Sequence, residues 1–280
     1  MVLRNGDTRV AVDATHGGAI REFNWRGCAV LRPAVAADDT DPFSTSCFPL
    51  VPYANRIAQG RFSFDGCNVQ LRRNWDRDPH PLHGQGWRAA WSVAQASATR
   101  AVLVFCGGGD EWPWRYRAQQ ELAVLADGLE VTLSVENQSQ QAMPVMLGLH
   151  PYFPHPAAST IEARTGTAWL SDAQALPVSE VRTPAQWSFD APRRASQVEL
   201  DHCFDHWDGT ATLRWPDRVV TMSAPGARAL HVYTPAGRDF FCLEPQTAAA
   251  GALNRANGSV AKLAPGERLE LGVRFSVGQA

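Results

Sequence analysis

An all-β fold, one large antiparallel β-sandwich with few short helices, is what this chain of 280 residues predicts. Three observations lead there. Apolar and polar residues alternate with period two in run after run. Turn dipeptides such as Asp-Gly and Pro-Asp separate the runs. Long amphipathic helical patterns and a strand–helix–strand rhythm are missing, which argues against a doubly wound α/β fold. No repeat, linker or low-complexity tract divides the chain, so a single domain over residues 1–280 is expected.

The elements follow in order. Arg9–Ala14 alternates as a strand. Arg61-Phe62-Ser63-Phe64 alternates, meets Asp65-Gly66, and resumes with Val69 and Leu71, which reads as a hairpin. Ala101–Phe105 is a strand, and Gly107–Gly109 after it is a turn, because it lacks the lysine and the helix of a phosphate loop. Glu121–Leu125 and Leu129–Val135 flank a second turn at Ala126-Asp127-Gly128. Ala211–Trp215 and Arg218–Met222 flank Pro216-Asp217 in the same way. Ala229–Tyr233, Phe240–Leu243 and Leu269–Val277 are further strands. Ala34–Asp41 reads as a loop. Ala185–Ala191 and Thr247–Leu253 are the places for short helical turns, with Asn254 ending the second.

Composition narrows the function. A formal net charge of −2 lacks the basic footprint of a nucleic-acid or membrane-surface partner. Lys262 is the only lysine, so cationic contacts to a ligand would come from planar arginine forks. Ten tryptophans against four tyrosines suit both a core and stacking on the C–H faces of a sugar. Six scattered cysteines without a C-x-x-C pair, no signal-peptide pattern and no membrane-length apolar run point to reduced thiols in a cytoplasmic protein.

Five segments carry chemistry. In Gly148-Leu149-His150-Pro151-Tyr152 an imidazole is clamped between two backbone punctuators, and Pro151 biases His150 toward extended backbone. A strand-end histidine beside a turn is the competing reading. Asn55-Arg56 offers an amide and a guanidinium fork that together can grip neighbouring hydroxyls; a surface arginine beside a turn asparagine looks the same in sequence. His83, followed by Gly84, Trp87 and Trp91, places a ring beside indoles. Glu244 ends the apolar run Phe240–Leu243, where a carboxylate against a hydrophobic wall has its pKa tuned. Asp201 can accept from ligand hydroxyls or an arginine, or can be a turn aspartate. A metal is disfavoured: Pro81 breaks any helical display of His80 and His83, and His202–His206 lacks the glutamate of H-E-x-x-H.

Taken together, Asn55-Arg56-Ile57, Leu82-His83-Gly84 with Trp91, Gly148-Leu149-His150-Pro151-Tyr152-Phe153, Asp201-His202-Cys203-Phe204 and Glu244-Pro245-Gln246 with Asn254 resemble, in order, the aldose 1-epimerase (galactose mutarotase) family. The resemblance covers the chain from about residue 15 to its end. It implies a β-supersandwich, a small-molecule sugar substrate, a monomer or homodimer, and neither a metal nor an organic cofactor. It implies Glu244 as general base and His150 as general acid, with Asn55, Arg56, His83, Asp201 and Gln246 binding the sugar. Thr247–Leu253 stands where the family often has Pro-Asp-Ala, in a loop that borders the sugar, so the resemblance carries the chemistry further than the substrate.

Mutarotation opens a cyclic hemiacetal and recloses it on the other face. A carboxylate Glu244 taking the C1 proton and an imidazolium His150 protonating the ring oxygen, on opposite sides of the ring, would supply this. Arg56 near the ring oxygen would stabilise developing charge. Arg72, Arg73 and Arg77 raise the alternative of a hexose 6-phosphate substrate. A non-catalytic sugar binder needs no acid–base pair, and a glycosidase would recruit Asp201 and Glu244 and leave His150 idle.

Overall fold

The computed structural model describes residues 1–36, 39–154, 157, 159–255 and 258–280. All strand pairs among them are antiparallel, as the short turns between alternating runs require. A nine-stranded sheet runs from Phe189–Arg194 to Ser92–Ala96 with Arg268–Gly278 at its centre. An eight-stranded sheet runs from Pro177–Arg182 through Asp201–Asp205, Ala229–Tyr233 and Phe240–Gln246 to Gly148–Leu149 and Pro49–Leu50. Tyr152–Pro154 also pairs with Phe240–Gln246. A four-stranded N-terminal sheet and two two-stranded ribbons complete the pairing. Helix is confined, among the described residues, to single 3₁₀ turns.

The predicted hairpins form, with one change of detail. Phe64 pairs with Cys67 across Asp65-Gly66, both of which have positive φ, the turn geometry that matches the strand twist. At the second hairpin the turn is Ala126-Asp127 alone, and Gly128 already lies in the strand Gly128–Asn137. A Cβ there would sit 1.9 Å from the Phe275 carbonyl oxygen, so glycine is needed for backbone approach rather than for the turn. Pro216-Asp217 turns as expected, closed by the Trp215 N–H to Arg218 oxygen bond of 2.8 Å. Ala185–Ala191 is helical only at Ala185–Trp187 and then becomes the strand Phe189–Arg194. Within Thr247–Leu253 the helical turn is Ala252–Asn254. Gly107 ends a strand and Gly109 opens a 3₁₀ turn. In the Ala34–Asp41 loop, residues 37 and 38 lie outside the described residues.

Burial follows the period-two pattern: Tyr116–Leu125 alternates buried and half-buried at every position. Aromatic rings tie the sheets together. Phe153 and Phe241 of the eight-stranded sheet stack at 5.5 Å, Phe153 reaches Phe275 of the nine-stranded sheet at 6.3 Å, and Phe275 meets Phe23 of the N-terminal sheet at 6.2 Å. All six cysteines are free. No described helix is long and apolar enough to cross a membrane.

Because Phe275 is fully buried where three sheets meet, Phe275→Ala is expected to destabilise the fold by about 3–5 kcal/mol, the cost of truncating a buried phenylalanine. Urea unfolding measures this, and a loss below about 1 kcal/mol would remove the ring from that role.

Candidate active site

The site begins with a register. On the strand Phe240–Gln246, Glu244 lies directly opposite His231 of Ala229–Tyr233. On the other edge the partner strand is interrupted: Gly148 pairs with Gln246 and Tyr152 with Cys242, which puts His150 at the register position of Glu244 where the ladder is broken. Side chains opposite one another share a face. His150, Glu244 and His231 thus form a row across three strands, all buried and all lining one cavity of about 260 Å³. His150 Nε2 is 3.2 Å from Glu244 Oε1.

Packing holds each member. The His150 ring stacks on Tyr152 at 4.7 Å and lies over Phe48 at 4.6 Å, while its backbone N–H donates to the Phe48 carbonyl. Gln246 donates from Nε2 to Glu244 Oε2 over 3.2 Å. Gln246 is fully buried and does not line the cavity wall. Asp201, half exposed into the cavity, accepts from His231 Nε2 over 2.8 Å.

Two loops close the cavity. The Asn55 N–H donates to His83 Nδ1 over 3.1 Å, and the His83 N–H returns a bond to the Asn55 carbonyl over 3.0 Å. With Nδ1 accepting, a neutral His83 keeps its proton on Nε2. Asn55 and His83 both have positive φ, 61° and 57°, strained backbone of the kind that survives where surrounding structure over-determines it. Arg56 donates from Nε to Asp78 Oδ2 over 2.8 Å, and Asp78 Oδ1 caps the His80 N–H. Phe43, Leu82, Tyr233 and Phe240 supply the apolar wall.

The aldose 1-epimerase family model matches residues 1–276. The chain belongs to the aldose 1-epimerase family. It is 34% identical to the uncharacterised Escherichia coli K12 protein YphB over 282 residues, 95% of this chain and 94% of that one. It is 29% identical to the galactose mutarotase of Rattus norvegicus over 136 residues, 47% of this chain and 38% of that one. A solved candidate aldose 1-epimerase from E. coli K12 superposes with a TM-score of 0.94 at 30% identity, covering 100% of this chain and 98% of that one. The GalM/aldose epimerase homologue from C. elegans, at 14% identity and a TM-score of 0.86 over 100% and 98% of the two chains, shares the fold.

In this aldose 1-epimerase family member the electrostatics differ from the sequence-based expectation at His150. Burial, with the neighbouring His231 next in effect, pulls the His150 imidazole down to about 3, which favours the neutral ring over the imidazolium. Burial pushes Glu244 up to about 7, against the pull of His231. The two groups therefore hold one proton between them below neutral pH. They are also in contact, not on opposite sides of a ring-sized space. Burial opposes charge on His231, but Glu244 and Asp201 outweigh it and hold this ring well above the ordinary histidine range. Burial also drives His83 well below that range.

Other predicted residues lie elsewhere. Trp87 and Trp91 are buried supports: Trp87 Nε1 donates to the Leu82 and Gly84 carbonyls, and Trp91 Nε1 to that of Gly86. The cavity is walled by Phe and Tyr. His80 Nδ1 accepts from the Gln59 N–H, so His80 and His83 serve separate backbone donors. His202 stacks on Trp187 at 4.6 Å. His206 is exposed, converging with Glu180 and Asp205 on the surface. Thr247–Leu253 is absent from the cavity lining; Ala248–Ala250 are buried, with the Ala250 N–H on Cys203 Sγ. Asn254 instead accepts from Ala58 and donates to Arg61, bracing the segment after Arg56. Sequence reasoning missed His231 and Asp78. His231 has one sequence signal, a histidine inside the short apolar run Ala229–Tyr233, and the strand register alone gives it meaning.

A carboxyl whose folded pKa is raised binds a proton that the unfolded chain has released, so its contribution to stability is lost as pH rises from 4.5 to about 7. Glu244→Gln removes the titration, and the variant is expected to be more stable than wild type above pH 7 by up to about 3 kcal/mol. Urea unfolding at pH 5 and pH 8 measures the difference; a variant no more stable at either pH contradicts the assignment.

Proposed function

We propose that the protein is an aldose 1-epimerase that interconverts the α and β anomers of a free, uncharged aldose by general acid–base catalysis without a cofactor. The observation that carries this reading is the His150–Glu244 pair, 3.2 Å apart on the wall of a cavity that Asn55, Arg56, His83 and Asp201 also line. Glu244 accepts the C1 hydroxyl proton while His150 donates to the ring oxygen; the C1–C2 bond rotates and the roles reverse on closure. The pair's total protonation is unchanged by each step, because one proton arrives as another leaves. The one-proton state reaches the reactive form when the proton moves from Oε1 to Nε2 along the contact already present.

Arg56, held by Asp78, and His83, presenting Nε2–H, are donors for the remaining hydroxyls, and Asp201 is the acceptor. A phosphorylated substrate fits less well. Arg72, Arg73 and Arg77 are exposed and paired with Asp110, Asp76 and Asp41, off the cavity wall. The arginine on the wall, Arg56, already answers Asp78.

Glu244→Gln and His150→Asn are each expected to slow anomer exchange about a hundred- to ten-thousandfold while leaving the fold intact. Polarimetry and NMR anomer exchange on glucose, galactose and glucose 6-phosphate measure this, and full activity in either variant would sink the assignment. The pH dependence is a second check. Losing the shared proton ends catalysis, so kcat/KM should fall as pH rises through about 7, and fall again toward pH 3 as His150 gains a proton.

A further inference from the structure

We propose that His231 is a positioning residue of this site: a buried cation that anchors Asp201 and Asn55 as sugar-hydroxyl partners and sets the pH window in which His150 and Glu244 share their proton. The inference rests on the acid–base reading above and adds a third histidine to it.

The geometry places His231 at a junction. Its strand partner is Glu244 on one side and Cys203 on the other. Nε2 lies 2.8 Å from Asp201 Oδ1, and Nδ1 lies 3.2 Å from Asn55 Nδ2. The ring is buried and lines the cavity beside His150. The titratable and charged groups facing it are Glu244 from Phe240–Gln246, Asp201, His202 and Cys203 from Asp201–Asp205, Arg56 and His83 from the two closing loops, and His150. Two of them are carboxyls: Asp201 touches the ring, and Glu244 lies across from it in the strand register.

Two demands meet on Nδ1. Asn55 Oδ1 accepts the Arg56 backbone N–H over 2.8 Å, which turns the amide NH₂ toward His231 and asks Nδ1 to accept. A charged ring asks Asn55 to present its oxygen instead, at the cost of one neutral hydrogen bond. Charge-assisted contacts in a buried site are the stronger, so the carboxyls prevail and the ring is cationic. A cation there favours carboxylate over carboxylic acid at Glu244 and resists a second proton on His150.

The sign of the test follows. Removing a positive charge makes both His150 and Glu244 hold protons more tightly, so both limbs of the kcat/KM profile move to higher pH. In His231→Gln each limb is expected to shift upward by about one unit or more, and KM to rise about tenfold as Asp201 and Asn55 lose their anchor. His206→Ala, an exposed histidine away from the cavity, should match wild type. A ring with a purely structural part would lower activity and leave both limbs in place, and that result overturns the proposal. Nitrogen-15 NMR of histidine-labelled wild-type protein gives an arm independent of whether the variant folds. One buried imidazole should remain doubly protonated above pH 7.5, and a neutral His231 at pH 7 also overturns the proposal. Should wild-type protein exchange no anomers, the acid–base reading fails, while the NMR titration still decides the charge of His231.

Discussion

A carboxyl group in the interior of a central strand is the constraint on which the site depends. Glu244 is 2% exposed, and a buried carboxylate without partners would be costly enough to stay protonated at any physiological pH. Its neighbours bring it to the border between the two states. Gln246 donates to one oxygen, His150 faces the other, and His231 stands across the strand pair. The sheet register aligns these groups in one row, so the electrostatics of the site are inseparable from strand pairing. A slip by one residue would turn the row to the opposite face of the sheet.

The same register explains Pro245. A proline inside a central strand lacks the N–H that a ladder needs and is normally confined to edges or irregularities. Here the neighbouring strand is broken at His150-Pro151, between Gly148–Leu149 and Tyr152–Pro154. Pro245 stands opposite that gap, so the break and the proline accommodate each other. On its other edge the His150 backbone N–H bonds the Phe48 carbonyl, continuing the Gly148–Leu50 and Leu149–Pro49 register, and the ring sits between Phe48 and Tyr152. Two features that weaken a sheet are combined where a side chain must be aimed.

This bears on what was legible in the chain. Hairpins were readable because Asp65-Gly66 and Pro216-Asp217 announce themselves locally. His150 was readable because Gly148 and Pro151 flank it. Glu244 was read as a strand end, since Pro245 normally stops a strand; the strand in fact continues to Gln246 because its neighbour is the one that stops. His231 carries no punctuation. Its importance comes from lying opposite Glu244, a relation between residues 13 apart that sequence spacing does not encode. Asp78 holds Arg56 and the His80 N–H, and was hidden for the same reason. Composition counts indoles without saying which way they face, so it leaves core and sugar-facing tryptophans undivided; Trp87 and Trp91 are core.

The contact distance of the central pair also separates chemistries that a carboxyl-rich sugar site could otherwise share. A glycoside hydrolase sets two carboxyl groups about 5–10 Å apart, so that a nucleophile or water and a leaving group fit between them. The pair here is a histidine and a carboxyl at 3.2 Å, and Asp201, the other carboxyl on the cavity wall, is engaged by His231. Groups in contact suit two oxygens that lie close together, as the two oxygens on the anomeric carbon of a cyclic aldose do. In the proposed reaction a proton would pass on at one oxygen and off at the other with no bond to the protein and no water to position. That economy of geometry favours ring opening and reclosure over hydrolysis for this cavity.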